Sequence, residues 1–171
     1  LLAYAGRVAN EKNLPMLLDA YLELPKKPKT RLMIIGDGPI RERLRQRADD
    51  RVIFPGYKRG EELSALYASS DLFVFPSLTE TFGNVMLEGM AAGLPTVAYN
   101  VPGPKDVVKN GETGILVDTV DAPSMTKALE NIVGNREKIG ELAAAARQHA
   151  ESQTWDAVNA VVRQAYLDAL D

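Results

Sequence analysis

Residues 72–88 read LFVFPSLTETFGNVMLE, a stretch that predicts a buried strand, a tight loop and a helix in that order. In open α/β sheets, ligands bind in the crevice beyond the carboxyl ends of the strands. Glu80 then lies in the loop, and Glu88 lies a turn or so inside the helix, on the ligand side. Two carboxylates placed in this way can accept hydrogen bonds from two hydroxyl-bearing parts of one ligand. The start of the helix offers N–H groups to an anion.

Apolar runs like residues 72–75 recur along the chain and predict further short strands. Segments with helical periodicity separate these runs; residues 14–22 and 63–67 are examples. Strands and helices that alternate through short loops favour a parallel sheet covered on both faces. We therefore predict a Rossmann-like, doubly wound α/β domain with extra C-terminal helices. Its six-stranded parallel sheet is expected to contain Leu1–Ala5, Arg31–Ile35, Val52–Phe54, Leu72–Phe75, Thr96–Ala98 and Ile115–Val117.

After Asp118 the sequence pattern is helical only. Asp121 is a good N-cap residue, because Pro123 follows it in the first turn. A second helix is predicted from about residue 136 to residue 149, around a run of four alanines with high helix propensity. A third is predicted from about residue 155 to residue 170.

Composition limits the possible functions. The length of 171 residues fits one domain, and a net charge of -3 gives no electrostatic reason to expect nucleic acid as a partner. The chain has no cysteine and a single histidine, His149, which excludes a disulfide framework and a cysteine or histidine zinc site. No apolar run reaches the length of about 18 residues that spans a membrane. The chain starts directly on a strand without Met, so we expect a piece of a longer protein.

The loop after the first predicted strand carries two cations. Gly6 lets the backbone approach a ligand closely, and Arg7 and Lys12 would point into the crevice from the same loop. A guanidinium and an ammonium group together suit two bridged phosphates. A glycine turn with two solvated basic residues fits the sequence equally well, so both interpretations stay open.

Two further glycine loops follow the second and third strands. Residues 36–39 read GDGP, which lacks the third glycine of the Gly-x-Gly-x-x-Gly fingerprint, so we predict a tight turn in which Asp37 caps the next helix. Residues 54–57 read FPGY; their backbone could contact the edge of a flat base at Gly56, or they could form an ordinary turn.

Taken together, these segments resemble the C-terminal, nucleotide-sugar-binding domain of family 4 retaining glycosyltransferases of the GT-B type. The resemblance covers essentially residues 1–171, and the matching pieces come in the order of the family. The pieces are Gly6-Arg7 with Glu11 to Leu14, Gly36 to Pro39, Phe54 to Tyr57, Pro76-Ser77 with Glu80 to Glu88, Ala91 to Val97, Gly111 to Gly114, and the helix that begins near Trp155.

The resemblance implies roles for the charged residues. Arg7 and Lys12 would hold the donor diphosphate and offset the charge that grows on the departing nucleotide. Glu80 would accept hydrogen bonds from hydroxyls of the transferred sugar. Glu88 would accept them from the ribose. Of these residues, Arg7, Lys12 and Glu80 are the expected catalytic set.

The remaining site residues implied by the resemblance act largely through their backbone. The amides of Phe82, Gly83 and Asn84 would lie beside the sugar, and Gly6 would lie close to the ligand. The backbone at Gly56 and Tyr57 would border the base, and Val85 would pack near the nucleoside.

One loop departs from the pattern of the family. Family members have two adjacent glycines after the fifth strand, followed by a carboxylate and an apolar pair. Residues 101–108 read VPGPKDVV, so only Gly103 remains, Pro102 has no N–H to donate, and Asp106 stands where Glu is usual. Ligand contacts of this loop are therefore not carried over from the family.

The resemblance implies retaining transfer of a hexosyl group from a UDP-, GDP- or ADP-sugar, with no cofactor and no metal. The acceptor, a sugar or lipid-linked glycan, would be held by an N-terminal domain that is absent here, so the fragment alone would be inactive. The resemblance therefore implies a cytoplasmic protein. If its acceptor is lipid-linked, the full-length protein would bind peripherally to the inner face of the membrane. Alternatives are a GT-B-like nucleotide-sugar epimerase or phosphorylase, and a non-catalytic nucleotide-sugar-binding module.

Overall fold

Six short apolar runs form one parallel sheet in the computed structural model of the chain, which describes residues 1–25, 29–80 and 83–169. The order of the strands across the sheet is β3-β2-β1-β4-β5-β6. All neighbouring strands pair in parallel. The strands are β1 (Leu2–Ala5), β2 (Leu32–Ile35), β3 (Val52–Gly56), β4 (Leu72–Phe75), β5 (Thr96–Tyr99) and β6 (Gly114–Val117).

Helices connect the strands and complete the C-terminal part of the chain. A short 3-10 helix, Asn10–Lys12, precedes the first α-helix. The α-helices are α1 (Leu14–Leu22), α2 (Arg41–Arg47), α3 (Gly60–Ala68), α4 (Asn84–Ala91), α5 (Pro104–Val107), α6 (Ala122–Val133), α7 (Arg136–Ser152) and α8 (Trp155–Asp168).

The order of the strands creates a switch point at the centre of the sheet. Strand β1 pairs with β2 on one side and with β4 on the other, and Leu2 lies opposite both Leu32 and Leu72. The chain therefore leaves β1 toward one edge and leaves β4 toward the other. In such sheets the crevice between the diverging loops is where ligands bind. The loops concerned are those that carry Arg7 and Glu80.

The core lies between the sheet and the helices on its two faces. The side chains of β1, β2, β4 and β5 are buried along their whole length, as expected for a parallel sheet covered on both faces. Helix α1 packs against α6, and α4 packs against α7. Gly89 lets α4 lie close to β4, since a Cβ atom there would be 3.2 Å from the Phe73 ring.

The predicted architecture is confirmed. Each predicted strand agrees with an observed one to within two residues at either end. Asp121 caps α6 as expected, because its Oδ1 accepts a hydrogen bond from the Ser124 amide at 2.7 Å. Helix α7 extends three residues past residue 149, to Ser152. Helix α8 ends at Asp168, and the expected end of that helix at residue 170 lies outside the described residues.

Candidate functional site

Two cavities lie beside loops that leave the carboxyl ends of the strands. We call the larger one, of about 470 Å³, the central cavity; it is lined by residues that follow β1, β2 and β3 and by residues of α3 and α4. Its lining includes Gly6, Arg7, Asp37, Tyr57, Lys58, Arg59, Tyr67, Val85 and Glu88. We call the other, of about 430 Å³, the side cavity; its lining includes Lys12, Thr79, Glu80 and Pro102.

Glycine makes the close approach of two loops at the central cavity possible. Gly36 has φ 138°, and a Cβ atom on it would lie 1.9 Å from the Gly6 carbonyl oxygen. Its amide donates to the Gly56 carbonyl at 2.9 Å, and the Gly6 amide donates to the Ile35 carbonyl at 3.0 Å. Since no side chain fits at residue 36, the backbone itself forms this part of the edge.

Arg7 is held at the edge of the central cavity through its backbone. The buried Tyr4 hydroxyl donates to the Arg7 carbonyl at 3.0 Å, which ties the loop to the end of β1. Burial, followed by the carboxylates of Glu11 and Glu80, raises the pKa of Tyr4 well above its usual value, so this hydroxyl remains a donor. The Arg7 side chain is 69% exposed, and its Nη1 lies 3.5 Å from Glu11 Oε1. A weak exposed pair of this kind leaves the cation available to a ligand.

Glu88 faces the same cavity from α4. Val85 lies one turn earlier on the helix and lines the cavity as well. Gly83 precedes the helix with φ 67°, and no side chain caps the helix start in the described structure. The first turn of α4 therefore presents backbone N–H groups toward this edge of the sheet.

Lys12 and Glu80 form an ion pair in the side cavity. Lys12 Nζ lies 3.1 Å from Glu80 Oε2, and the two side chains are 23% and 19% exposed. The ammonium group also lies 5.9 Å from the centroid of the Phe75 ring. The pair joins residues 68 positions apart in the sequence. The residue expected to bind phosphate, Lys12, and the residue expected to bind the sugar, Glu80, are thus in direct contact.

Backbone contacts hold the loop of Glu80 in place. Asn13 adopts a left-handed conformation, with φ 53°, and its Nδ2 donates to the Pro76 carbonyl at 3.4 Å. The buried Ser77 hydroxyl donates to the Thr79 carbonyl at 2.9 Å. On the other side, Gly103 has φ 94°, and a Cβ atom on it would lie 2.6 Å from the Glu80 carbonyl oxygen. The loop in which the family pattern is incomplete therefore packs directly on the loop that carries Glu80.

The structure divides the predicted site residues between the cavities. Gly6, Arg7, Tyr57, Val85 and Glu88 line the central cavity, whereas Lys12 and Glu80 line the side cavity. Arg7 and Lys12 therefore do not share one of these cavities.

Three other predicted residues adjoin this region without lining either cavity. Gly56 ends β3, Gly83 precedes α4, and Asn84 is its exposed first residue. Phe82 lies outside the described residues, so the contribution of its amide stays a prediction.

Sequence reasoning missed several residues that line the central cavity. Tyr67 belongs to an apolar helical pattern. Such a pattern indicates core packing and gives no sign that the hydroxyl lies beside a cavity. Lys58 and Arg59 follow Tyr57 directly and are two further cations, the first of them paired with Glu62 at 2.7 Å. The capping role predicted for Asp37 is wrong: its Oδ1 accepts from the adjacent Gly38 amide, and no side chain caps α2.

The described part of the chain has neither a cluster of metal-ligating side chains nor a helix that could span a membrane. Residues 1–25, 29–80 and 83–169 contain no group of three or more His, Cys, Asp or Glu side chains placed to hold a metal ion. None of the helices in those ranges is both long and apolar enough to cross a bilayer.

The fold defines a Rossmann-like α/β domain, and the cations and carboxylates beside its switch point mark a candidate ligand site at the carboxyl edge of the sheet. The chain belongs to the family described as Glycosyl transferases group 1, which matches residues 1–135. The prediction of a GT-B glycosyltransferase domain is thereby confirmed at the level of family and fold.

Two relatives illustrate the similarity in sequence. The sulfoquinovosyl transferase SQD2 of Arabidopsis thaliana is 36% identical over 167 residues, which cover 95% of this chain and 32% of the relative. A GDP-mannose-dependent alpha-mannosyltransferase of Corynebacterium glutamicum is 34% identical over 170 residues, which cover 99% of this chain and 40% of the relative. The chain therefore spans less than half the length of either relative.

A solved structure shows the same architecture. The Anabaena protein HepE, crystallised in complex with UDP and glucose, superposes with a TM-score of 0.79 at 26% sequence identity. The match covers 99% of this chain and 47% of HepE.

Proposed function

We propose that this chain is the donor-binding, C-terminal domain of a family 4 retaining glycosyltransferase, and that it binds a nucleoside diphosphate sugar. The observation that carries the proposal is the placement of Arg7 with Glu88 in one cavity and of Lys12 with Glu80 in the other, both beside loops at the carboxyl ends of the strands. The names of the relatives support a sugar-nucleotide donor, and HepE was crystallised with UDP and glucose.

The two cavities suit the two ends of such a donor. In the proposed complex the nucleoside occupies the central cavity, where Val85 packs against it and Glu88 accepts hydrogen bonds from the ribose hydroxyls. The base lies toward Gly56 and Tyr57. The hexosyl group enters the side cavity, where its hydroxyls donate to Glu80, beside the start of α4 and the amides of residues 82–84. The diphosphate then joins the two cavities, close to Gly6.

The chemistry required of this domain is electrostatic. When the bond between sugar and phosphate breaks, negative charge grows on the departing diphosphate, and cations fixed beforehand stabilise that charge at no cost of reorganisation. Arg7 would supply a planar guanidinium and Lys12 a compact ammonium for this purpose. In this proposal the two side chains take the place of a divalent metal.

The proposal leaves the acceptor to the rest of the protein. Because the chain spans 32–40% of the two relatives compared, a longer protein would supply the acceptor domain, and the chain alone would bind its donor without transferring the sugar. The acceptor would be a sugar or lipid-linked glycan, reached from the cytoplasm at the inner face of the membrane.

Titration calorimetry of the chain with UDP-, GDP- and ADP-sugars tests the proposal. Arg7→Ala and Glu88→Ala are each expected to weaken binding of the preferred donor by about 1–3 kcal/mol, the range for hydrogen bonds to charged groups. Arg147→Ala and Glu130→Ala are matched controls, since both residues lie on exposed faces of C-terminal helices and line neither cavity. Equal affinities for all five proteins would contradict the proposal.

A further inference from the structure

Tyr67 places a buried hydroxyl beside the central cavity that the proposed function does not use. The residue is 4% exposed, belongs to α3 and lines the cavity together with Glu88. Its hydroxyl oxygen is inaccessible to solvent and has the Glu88 carboxylate as a neighbouring acceptor, but within the described residues the two groups do not meet the usual distance and angle limits of a hydrogen bond. Leaving a buried hydroxyl without a well-formed hydrogen bond costs about 1–3 kcal/mol, so a partner that completes this bond would be stabilising.

The position of the ring limits where that partner can be. The Tyr67 ring meets Phe73 edge to face, with centroids 6.0 Å apart and an interplanar angle of 74°. Burial is the main cause of a pKa for Tyr67 well above the usual value, and the nearby Glu88 carboxylate raises it further. The hydroxyl therefore stays protonated at any physiological pH, and Glu88 is the acceptor within its reach.

We propose that Tyr67 is a positioning residue for Glu88, and that its hydroxyl donates a hydrogen bond to the Glu88 carboxylate when a nucleotide occupies the central cavity. One carboxylate oxygen would then be held by the protein, and the remaining lone pairs would be aimed at the two ribose hydroxyls. This inference rests on the proposed function, because it assigns Tyr67 a part in recognising the ribose of the same ligand.

A comparison of ribose and deoxyribose ligands tests the inference. The probes are UDP with 2′-deoxy-UDP, and GDP with 2′-deoxy-GDP, titrated into the chain. The measured quantity is the ratio of the Kd of the deoxy compound to the Kd of its ribose counterpart. For the unsubstituted chain we expect a ratio of about 10 or more, because a hydroxyl bonded to a carboxylate is lost. For Tyr67→Phe we expect the ratio to fall to about 3 or less, since the carboxylate is no longer held in place.

A purely structural role of Tyr67 would weaken both compounds of a pair equally and leave the ratio unchanged. Tyr67→Phe should also leave Tm within about 2 °C of its starting value, because the lost hydroxyl satisfies no ordinary hydrogen bond. Tyr99→Phe is the matched control. Its hydroxyl donates to the Asp121 carbonyl at 2.7 Å, so its loss should lower Tm by several degrees without changing the ratio. In the Glu88→Ala background, Tyr67→Phe should have no further effect on the ratio.

The outcomes separate this inference from the proposed function. If Glu88→Ala changes the ratio of the deoxy Kd to the ribose Kd but Tyr67→Phe does not, the role of Tyr67 is overturned and the proposed function stands. A larger fall of Tm for Tyr67→Phe than for Tyr99→Phe would identify the hydroxyl as structural and overturn it as well. Failure of the unsubstituted chain to bind either pair of probes would overturn the proposed function, and this inference with it.

Discussion

At the scale of single residues, two ion pairs organise the candidate site. Lys12 is partly buried and paired with Glu80 at 3.1 Å, while Arg7 is largely exposed and only loosely paired with Glu11. A phosphate that approaches Lys12 must therefore share it with a carboxylate of the same sign as its own charge. Glu80 should therefore weaken the binding of the phosphates, through charge repulsion, and strengthen the binding of the sugar, through hydrogen bonds.

Glu80→Gln should change the affinity for a nucleoside diphosphate and the affinity for the corresponding nucleotide sugar in different ways. Affinity for the nucleoside diphosphate should be unchanged or higher, because the competing negative charge is removed. Affinity for the nucleotide sugar should fall by about 1–3 kcal/mol, because sugar hydroxyls lose a charged acceptor. Calorimetric titration of both ligands measures the two changes, with Glu112→Gln as an exposed control. Equal losses for the two ligands would show that Glu80 does not act on the sugar.

Gly103→Ala should disturb the loop of Glu80. The residue has φ 94°, and a Cβ atom there would lie 2.6 Å from the Glu80 carbonyl oxygen. We expect a loss of about 1–3 kcal/mol in the free energy of unfolding, measured by urea denaturation. Gly134→Ala is the matched control, because Gly134 has φ −83° and open space around it. If Gly134→Ala loses as much stability as Gly103→Ala, the loss at residue 103 is not explained by its positive φ and its contact with Glu80.

At the scale of elements, the pattern of the sequence accounts for the strands and most of the helices. Residues 72–75 are apolar throughout because both faces of β4 are covered, and Asp121 caps α6 as its sequence context predicts. Asp37 shows where local rules fail: an Asp before a helix has several nearby amides to accept from, and the choice of Gly38 depends on how the loop packs.

The candidate site is less accessible to sequence reasoning than the fold. The ligand-side position of Arg7, Glu80 and Glu88 follows from the rule that binding loops leave the carboxyl ends of strands. The contact between Lys12 and Glu80 spans 68 residues and depends on the exact packing of two loops. The sequence does not predict a role for the Tyr67 hydroxyl, because a tyrosine in an apolar helical stripe packs in the core whether or not its oxygen makes a contact.

Removing the cap of α6 tests the contribution of one helix terminus. Asp121→Ala should lower the free energy of unfolding by about 0.5–2 kcal/mol, because the Ser124 amide loses its acceptor. The measurement is urea denaturation. Glu130→Ala, on the exposed face of the same helix, should change stability by less than about 0.5 kcal/mol. If both substitutions have the same effect, the cap contributes nothing beyond helix propensity.

At the scale of the whole molecule, buried tyrosines link stability to alkaline pH. Burial raises the pKa of Tyr21 from its ordinary value of 10.0 to about 12, and burial likewise raises the pKa of Tyr4, Tyr67 and Tyr99. A raised pKa means that the folded protein holds the proton more tightly than the unfolded chain. The stabilisation is complete below pH 10 and is lost as pH rises, over the window from 10 to 12 for Tyr21.

Tyr21→Phe should therefore flatten the alkaline decline of stability. Each tyrosine contributes up to about 1.4 kcal/mol per pH unit within its window. Urea denaturation of Tyr21→Phe and of the unsubstituted chain at several values from pH 9 to pH 11.5 would give two slopes. Tyr57→Phe is the control, since Tyr57 is 70% exposed. If Tyr21→Phe keeps the original slope, Tyr21 does not carry this linkage.

A crystal structure of the chain with a bound nucleoside diphosphate sugar tests the division of the site between two cavities most directly. We expect the ribose within hydrogen-bond distance of Glu88 in the central cavity, the diphosphate near Arg7 and Lys12, and the hexosyl group against Glu80 in the side cavity. A ligand bound at the opposite edge of the sheet, such as the small cavity beside Lys29 and Arg136, would contradict this arrangement.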